Sequence, residues 1–332
     1  MQLETLKNRW RLAKALLEGK ALHSSAPQEI IVEVTNRCNL RCRMCVRTYL
    51  NAIETKDLSL KEFCLLLDNL TNKTERISFA GLGEPLLNPE IVEMIYKCKE
   101  HGFPTTIYTN ATLLSPEFSA ALLNAGLSGI IFSFDGATEK TYEYYRSGAD
   151  FNEAKKNILS FLKIKKATGS NVFIEIQMVI LKRNFEEIKS FFDMWSIRGV
   201  NSIRIKNDHM CVSGESNIEK NSFIPKKKDG FCVMPWRGPA TIDVNGNVYP
   251  CCVKSQYNLV LGNIFSKSIE DLWGSNLINK LRNDFSNKKA KLSTCQLCTI
   301  PLVPLLPCVC GTLLNPLLAH KILAQIERRL YK

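Results

Sequence analysis

The stretch EIIVEVTNRCNLRCRMC, residues 29–45, decides the reading of this chain. Its first half, Glu29–Thr35, is rich in β-branched residues and reads as a strand. Its second half places Cys38, Cys42 and Cys45 at the spacing C-x3-C-x2-C. Three thiolates this close can wrap one face of a small metal centre, and soft thiolates favour iron–sulfur clusters or zinc. A structural zinc site normally closes with four ligands. The nearest further candidates, His23 and Cys64, leave this set at three. Three thiolates suit a 4Fe–4S cluster with one open iron; a zinc knuckle completed from elsewhere in the chain is the alternative. The charged N-terminus, residues 1–20, has no apolar signal-peptide core, so a cytoplasmic location with reduced thiols is expected. The 13 cysteines of the chain are then read as metal-binding or catalytic, not as a disulfide framework.

Downstream, strands and helices alternate. Leu58–Leu70 reads as a helix, and Arg76–Ala80 as a strand ending in Gly81-Leu82-Gly83-Glu84-Pro85. Pro89–His101 is a helix stopped by Gly102, Thr105–Thr109 a strand, and Pro116–Ala125 a helix ended by Gly126. Gly129–Phe134 is a strand ending at Asp135-Gly136. Helices are expected over Glu139–Tyr145, Asn152–Thr168 and Phe185–Ile197, with strands over Val172–Leu181 and Ser202–Lys206. Six strands alternating with helices between residues 29 and 206 argue for parallel βα units in an α/β chain. A βα barrel carries its chemistry on the loops after the strand C-termini, which is where the unusual residues of this chain fall. A doubly wound sheet is the competing architecture, since strand order cannot be read from one sequence.

These motifs resemble the radical S-adenosylmethionine (SAM) superfamily, whose signature is C-x3-C-x2-C after the first strand of a partial barrel. Met44 stands where that family usually has an aromatic residue. Gly81-Leu82-Gly83-Glu84-Pro85 resembles the family's Gly-Gly-Glu-Pro motif, with Leu82 replacing one glycine. Tyr108-Thr109-Asn110-Ala111 and Ser133-Phe134-Asp135-Gly136 resemble its next two strand-end motifs. The resemblance spans about residues 29–206 and implies a partial (β/α)6 barrel, a 4Fe–4S cluster on Cys38, Cys42 and Cys45, and bound SAM. It implies reductive cleavage of SAM to a 5′-deoxyadenosyl radical that takes a hydrogen from substrate. The electron would come from an external reductant such as flavodoxin or ferredoxin. On this resemblance Gly83 and Glu84 would hold the methionyl amino group, and Asn110 and Ser133 would contact the ribose or methionyl moiety. Arg146 would pair with the SAM carboxylate, or else stand as a solvated helix residue. There is no G-x-G-x-x-G, so a nicotinamide site has no support.

A second set of cysteines follows residue 230. Cys232, Cys251, Cys295 and Cys298 can close one tetra-thiolate site, which by itself fits zinc or iron–sulfur equally. Thr241–Val244 and Val248–Pro250 flank Asn245-Gly246, a hairpin signal, and Ser268–Trp273 and Asn276–Asn283 are helical candidates. The C-x13-G-x4-C segment and the later C-x2-C are similar to the SPASM/twitch auxiliary-cluster domain over about residues 230–300. That similarity implies one auxiliary 4Fe–4S cluster. Pro304 stands where the full two-cluster pattern has a cysteine, although Cys308 falls at the following position. A second auxiliary cluster therefore lacks a ligand unless Cys211, Cys252 or Cys310 substitutes. Cys252 is expected to point away from Cys251, because strand neighbours alternate. Cys64 and Cys98 are expected as buried, apolar-like residues of helices.

The chain thus divides into a helical extension (1–28), a radical SAM-type barrel (29–206), a Lys-rich linker (207–230), a small cluster domain (231–300) and a Pro/Leu-rich tail (301–332). Leu3, Leu6, Trp10, Ala13 and Leu17 give the extension an apolar face at helical spacing. The run Thr299–Ala319 contains Pro301, Pro304, Pro307 and Pro316, which do not suit a continuous membrane span. Leu313–Leu330 sets an apolar face against Lys321, Arg328 and Arg329, fitting either peripheral contact with an anionic membrane or packing on the barrel.

With 45% hydrophobic and 23% charged residues, the 332-residue chain is neither disordered nor fibrous. Its net charge of +12 raises the weight of anionic partners. No aromatic-interleaved basic motif supports nucleic-acid binding. The extension is expected to be too short for a leader-binding domain, which favours a small molecule such as a sugar derivative over a peptide. The reaction expected is oxidation or epimerisation, with radical modification of a peptide as the alternative. No catalytic residue can be named. Glu175 and Lys206 are candidate proton acceptors and Cys211 a candidate hydrogen donor, each against a structural reading as a salt-bridged or buried residue. The rival of another class is a non-enzymatic zinc-binding adaptor. It explains the cysteines but not Gly83-Glu84-Pro85 or Asp135-Gly136 at successive strand ends.

Overall fold

Strand order settles the choice left open by the sequence. The computed structural model of the chain describes residues 3–20, 22, 25–50, 54–207, 232–252, 259–286, 295 and 305–314. Six parallel strands lie side by side in chain order: β1 (Glu29–Val32), β2 (Arg76–Phe79), β3 (Thr105–Thr109), β4 (Gly129–Ser133), β5 (Phe173–Ile180) and β6 (Ser202–Asn207). A doubly wound sheet would place later strands on both sides of β1. Here the order runs monotonically from β1 to β6, as a barrel wall does. The connections are α2 (Leu60–Asp68), α3 (Ile91–Glu100), α4 (Pro116–Asn124), α5 (Glu139–Tyr145), α6 (Phe151–Ala167) and α7 (Ile188–Trp195). The single helix expected over 185–197 is a 3-10 turn, Phe185–Glu187, followed by α7.

Local chemistry explains these boundaries. Ser59 and Glu62 form a capping box at the start of α2. Ser115 caps α4, whose first residue is Pro116, pre-set for a helix start. Gly102 (φ +77°) and Gly126 (φ +98°) end α3 and α4 in the left-handed region.

Alternation along the strands sorts side chains into two environments. Ile30, Phe79, Ile107, Phe132, Ile176 and Ile205 join helix residues such as Phe63, Ile95, Phe161 and Trp195 in one apolar core. Burying each such side chain contributes roughly 1.5–3 kcal/mol. The intervening residues Glu29, Ser78, Tyr108, Glu175, Gln177 and Arg204 face the concave side, and register places them in layers. Tyr108, Ile131, Glu175 and Ser202 are neighbours across four strands, as are Ser133, Gln177 and Arg204 across three.

The sheet does not stop at β1. Strand β7 (Ala240–Ile242) adds parallel to its outer edge, pairing Ile30 with Ala240 and Val32 with Ile242. β8 (Asn247–Tyr249) and β9 (Gly262–Asn263) follow antiparallel, giving nine strands in one sheet. The hairpin stands at Asn245-Gly246, with Gly246 at φ +80°, and Asp243 Oδ1 accepts the N–H groups of Asn245 and Asn247. The short helix α8 (Met234–Arg237) precedes β7; α9 (Ile269–Trp273) and α10 (Asn276–Ser286) follow β9.

The N-terminal helix α1 (Leu3–Glu18) turns a different face inward from its periodic apolar set. Leu3, Leu6, Trp10 and Leu17 are exposed, and of that set only Ala13 is buried. Docking instead uses Leu12, Leu16 and a polar seam. Asn8 Nδ2 donates to the carbonyls of Ala26 (3.0 Å) and Lys73 (3.2 Å), and Arg9 pairs with the buried Glu75. A final helix, α11 (Leu305–Leu313), packs on α1, with Val309 joining Leu12, Leu16, Leu22 and Trp236. Pro307 stands in its first turn, where the missing N–H is not needed by the helix. Among the described residues no helix is long and apolar enough to cross a membrane. The expected linker beyond Asn207, which ends β6, Cys211, Cys298 and nearly all of Leu313–Leu330 lie outside the described residues.

Candidate functional site

The strand-end loops converge on the cysteine loop after β1. Gly83 sits so close to it that a Cβ atom there would meet Thr35 O at 2.2 Å and Arg37 O at 2.6 Å. The next residue, Glu84, donates its N–H to Arg37 O (2.8 Å) and is buried. Its carboxylate accepts the N–H groups of Asn110 (2.8 Å) and Leu86 (3.2 Å), linking the loops after β2 and β3. Burial pushes the Glu84 carboxyl above its ordinary pKa. Asn110 Nδ2 donates to Asn39 Oδ1 (3.0 Å), and its Oδ1 accepts from Thr112 N (3.0 Å). Asn110 therefore ties β3 directly to the loop that carries Cys38. The residue after it, Ala111, has φ +65°, an uncommon conformation for a residue with a Cβ.

Arg146 caps the C-terminus of α5 and is 8% exposed, so it is not a solvated helix residue. Its Nη2 lies 2.6 Å from Asp135 Oδ2, and its Nε has no hydrogen-bond partner. Burial alone would lower the guanidinium pKa, but the Asp135 carboxylate outweighs it and the net shift is upward. Asp135 Oδ1 accepts Val179 N–H (2.7 Å), which fixes the end of β4 to β5. A carboxylate arriving at Arg146 has to share the guanidinium with Asp135. Ser133 is half-buried at the end of β4, beside Gln177 in register.

Cys38, Cys42 and Cys45 are each partly exposed on one loop, with Cys45 N–H on Cys42 O (3.1 Å). The loop is clamped from outside: Arg41 N–H donates to Ser147 O (3.0 Å) and Arg43 N–H to Tyr145 O (2.9 Å). Arg37 makes a two-pronged pair with Asp57 at 2.9 and 2.5 Å. Burial raises the pKa of all three thiols, that of Cys42 to about 12. Bound metal reverses this, because a coordinating thiol is deprotonated. Among the described residues no three Cys, His, Asp or Glu side chains close on a single ion. A cubane takes each thiolate on a separate iron and asks for no such convergence. The unpartnered Arg146 Nε, the three thiols and the Gly83 cradle fit a SAM-ligated cluster.

Three of the four C-terminal thiols are described, and all are partly exposed: Cys232, Cys251 and Cys295. Cys232 leads into α8 ahead of β7 and Cys251 follows β8, so the antiparallel pairing brings these two to the same end of β7 and β8; Cys295 follows α10 in the chain. Cys252 is also partly exposed and Cys310 exposed; Cys98 is buried and Cys64 partly so. Arg282 on α10 is fully buried beside this end. Its Nε donates to Pro235 O (2.8 Å) and its Nη1 to Asn279 Oδ1 (2.6 Å), while the guanidinium lies 5.6 Å from the Trp273 ring. Burial pulls its pKa down to about 9.

Comparison with known proteins identifies this arrangement. The family model described as "Radical SAM superfamily" matches residues 32–194, and the SPASM model, described as "Iron-sulfur cluster-binding domain", matches residues 232–299. The chain belongs to the radical SAM superfamily. It is a radical SAM enzyme with a C-terminal SPASM domain, and 4Fe–4S clusters and SAM are the cofactors these domains bring. The adaptor reading is thereby set aside.

Among relatives of this radical SAM chain, the tungsten-containing aldehyde ferredoxin oxidoreductase cofactor-modifying protein of Pyrococcus furiosus is 24% identical over 316 residues, 82% of this chain and 87% of that protein. The AdoMet-dependent heme synthase of Methanosarcina barkeri is 28% identical over 171 residues, 52% of this chain and 48% of its own length. The solved structure of BtrN with AdoMet and 2-DOIA has a TM-score of 0.56 at 21% identity, covering 86% of this chain and 96% of BtrN. SuiB of Streptococcus suis bound to S-adenosylmethionine has a TM-score of 0.64 at 19% identity, covering 88% of this chain and 74% of SuiB. At these identities the structural likeness is one of fold.

Sequence reasoning missed several residues that shape the radical SAM site. Asp57, which pairs with Arg37, belongs to no motif, and Asn39, which receives Asn110, fills an unspecified position between Cys38 and Cys42. Arg282 reads as an ordinary helix arginine. Glu33, which accepts Leu82 N–H at 2.6 Å, was visible only as an acid in a β-branched strand.

Proposed function

We propose that this enzyme oxidises or epimerises a small polar molecule held in the barrel lumen. The observation that carries this reading is the composition of the concave face. Glu29 pairs there with Arg76 (2.8 Å) and Ser78 (2.6 Å), and Glu175 accepts from Gln177 beside Arg204 in the sheet. Lys206 lies 5.8 Å from the Tyr108 ring at the upper end. Such a lumen offers hydrogen bonds at several heights and little apolar surface, which suits a hydroxylated or amino-bearing substrate.

Cys38, Cys42 and Cys45 would hold the SAM-binding cluster, and Cys232, Cys251, Cys295 and Cys298 one auxiliary cluster. When bound, these groups supply a 5′-deoxyadenosyl radical that takes a hydrogen atom from substrate, and a one-electron acceptor. The chain's own residues bind, orient and exclude water. Glu84 and the Gly83 backbone would receive the methionyl amino group, and Arg146, held by Asp135, its carboxylate. Asn110 would act mainly by fixing the cysteine loop through Asn39, and Ser133 would contact the ribose or methionyl moiety. Oxidising an alcohol also requires removal of a proton. Glu175 is fully buried, and burial raises its pKa, so it is the carboxylate suited to take that proton.

The test is anaerobic turnover with SAM and dithionite on deuterated candidate substrates: hydroxylated and amino-bearing small molecules, and peptides. The reading expects deuterium in 5′-deoxyadenosine and a small-molecule product that is either two hydrogens lighter or inverted with solvent hydrogen. Turnover confined to peptides would overturn it.

A further inference from the structure

We propose that the surface built around Tyr144, over the cysteine loop, is the docking site of an acidic one-electron donor protein of the flavodoxin or ferredoxin kind. The proposal rests on the radical SAM reading, since only then does the Cys38–Cys42–Cys45 centre need an electron.

Tyr144 lies in the last turn of α5, half-buried, with two guanidiniums gathered on its ring: Arg183 at 3.7 Å and Arg43 at 4.5 Å. Both arginines are exposed, as is Arg41. Arg43 Nε donates to Tyr144 O (2.9 Å), and Tyr49 Oη donates to Arg43 O (2.8 Å). Arg183 is held through its backbone N–H on Tyr145 Oη (2.9 Å). None of Arg41, Arg43 and Arg183 forms an ion pair among the described residues. Gathering like charges without an acid is unfavourable for the fold alone, and the aromatic ring offsets only part of that. Held in place and exposed, they complement a partner that brings carboxylates.

The position of the patch gives it a use. Tyr144 and Cys42 pack against the same apolar cluster of Met44, Tyr145 and Leu181. A protein seated on Tyr144 and Arg183 would stand one layer of side chains from the Cys42 thiol. The two backbone clamps from Arg41 and Arg43 to Ser147 and Tyr145 fix this layer before any partner arrives. The transfer moves one electron and no atoms: the donor's flavin or iron–sulfur centre is oxidised by one electron, and the enzyme's cluster is reduced by one.

The experiment compares wild type, Arg183→Glu and Arg183→Lys, all cluster-loaded, with reduced flavodoxin as the probe. It measures the dissociation constant of the complex at low and high salt, and SAM cleavage driven by flavodoxin or by dithionite. Charge reversal is expected to weaken the complex about tenfold or more at low salt, with the lysine variant close to wild type. Flavodoxin-driven cleavage falls in proportion, while dithionite-driven cleavage stays within about twofold. Wild type that does not bind flavodoxin, or an Arg183→Glu variant that binds as tightly as wild type, overturns the proposal. So does an equal loss with both reductants, which would place Arg183 in the fold or the SAM site. Wild type that cleaves no SAM with dithionite overturns the functional reading on which the proposal stands.

Discussion

Replacing Asp135 by asparagine keeps the shape of the side chain and removes the charge that Arg146 depends on. Asp135 is 1% exposed and Arg146 8% exposed. Their contact is 2.6 Å, and no other ion pair to Arg146 exists among the described residues. Removing one member of a buried pair costs roughly 3–5 kcal/mol, because it leaves the other charge uncompensated. Two features favour the lower end. The substituted amide can still accept Val179 N–H through its side-chain oxygen, and Glu84 lies within electrostatic reach of Arg146. The expected loss is therefore about 3 kcal/mol, or a fall in Tm of about 4 °C for a chain of this length. The assay is anaerobic thermal and urea denaturation of wild type, Asp135→Asn, Arg146→Met and the double variant. Removing both charges should recover most of the loss, so the double variant stands closer to wild type than either single variant does. A single variant within about 1 kcal/mol of wild type, or a double variant no better than the single, would refute the reasoning.

Gly83→Ala should weaken SAM binding at least about tenfold and lower stability by several kcal/mol, because the new Cβ would meet two backbone oxygens at 2.2 and 2.6 Å. Isothermal titration of the cluster-loaded protein reads the first and denaturation the second; a wild-type profile in both would show that the loop is not a cradle. Burial works to raise the pKa of Glu29, but Arg76 and Ser78 hold it below its ordinary value. Its contribution is therefore present above the unfolded carboxyl pKa of about 4.5 and is lost as pH falls through the lowered folded value. The stability gap between wild type and Glu29→Gln in the metal-free chain should be full at about pH 6 to 7 and close on acidification; a gap independent of pH would contradict the pairing. Cys251→Ala should remove about four irons per chain and leave dithionite-driven SAM cleavage measurable, with metal analysis as the check. Unchanged iron would remove Cys251 from the auxiliary site.

The barrel was legible because each of its signals is local. β-branched runs, caps such as Ser59 and Ser115, and stops such as Gly102 and Gly126 act within a few residues, and they set most element limits to within a residue or two, although the first strand, expected to reach Thr35, ends at Val32. The join between β1 and β7 is not local. Residues 30 and 240 pair across the whole barrel, and nothing near either one announces the other. The N-terminal helix shows the same limit from the opposite side. Its apolar spacing at Leu3, Leu6, Trp10 and Leu17 described the exposed face, because Asn8 and Arg9 make the docking bonds and periodicity counts them as solvent-facing. At the site, the cysteines and the Gly-Glu-Pro motif were readable as a pattern. The supports that shape them, Asp57 under Arg37, Asn39 under Asn110 and Asp135 beside Arg146, depend on tertiary contacts between loops of different strands.

The most direct measurement of the central claim is anaerobic reconstitution with iron and sulfide counting, alongside an assay for 5′-deoxyadenosine from SAM and dithionite. Two cubane clusters predict about eight irons and eight sulfides per chain, with cleavage abolished in Cys42→Ala. Zinc in place of iron, with no SAM cleavage, would contradict it.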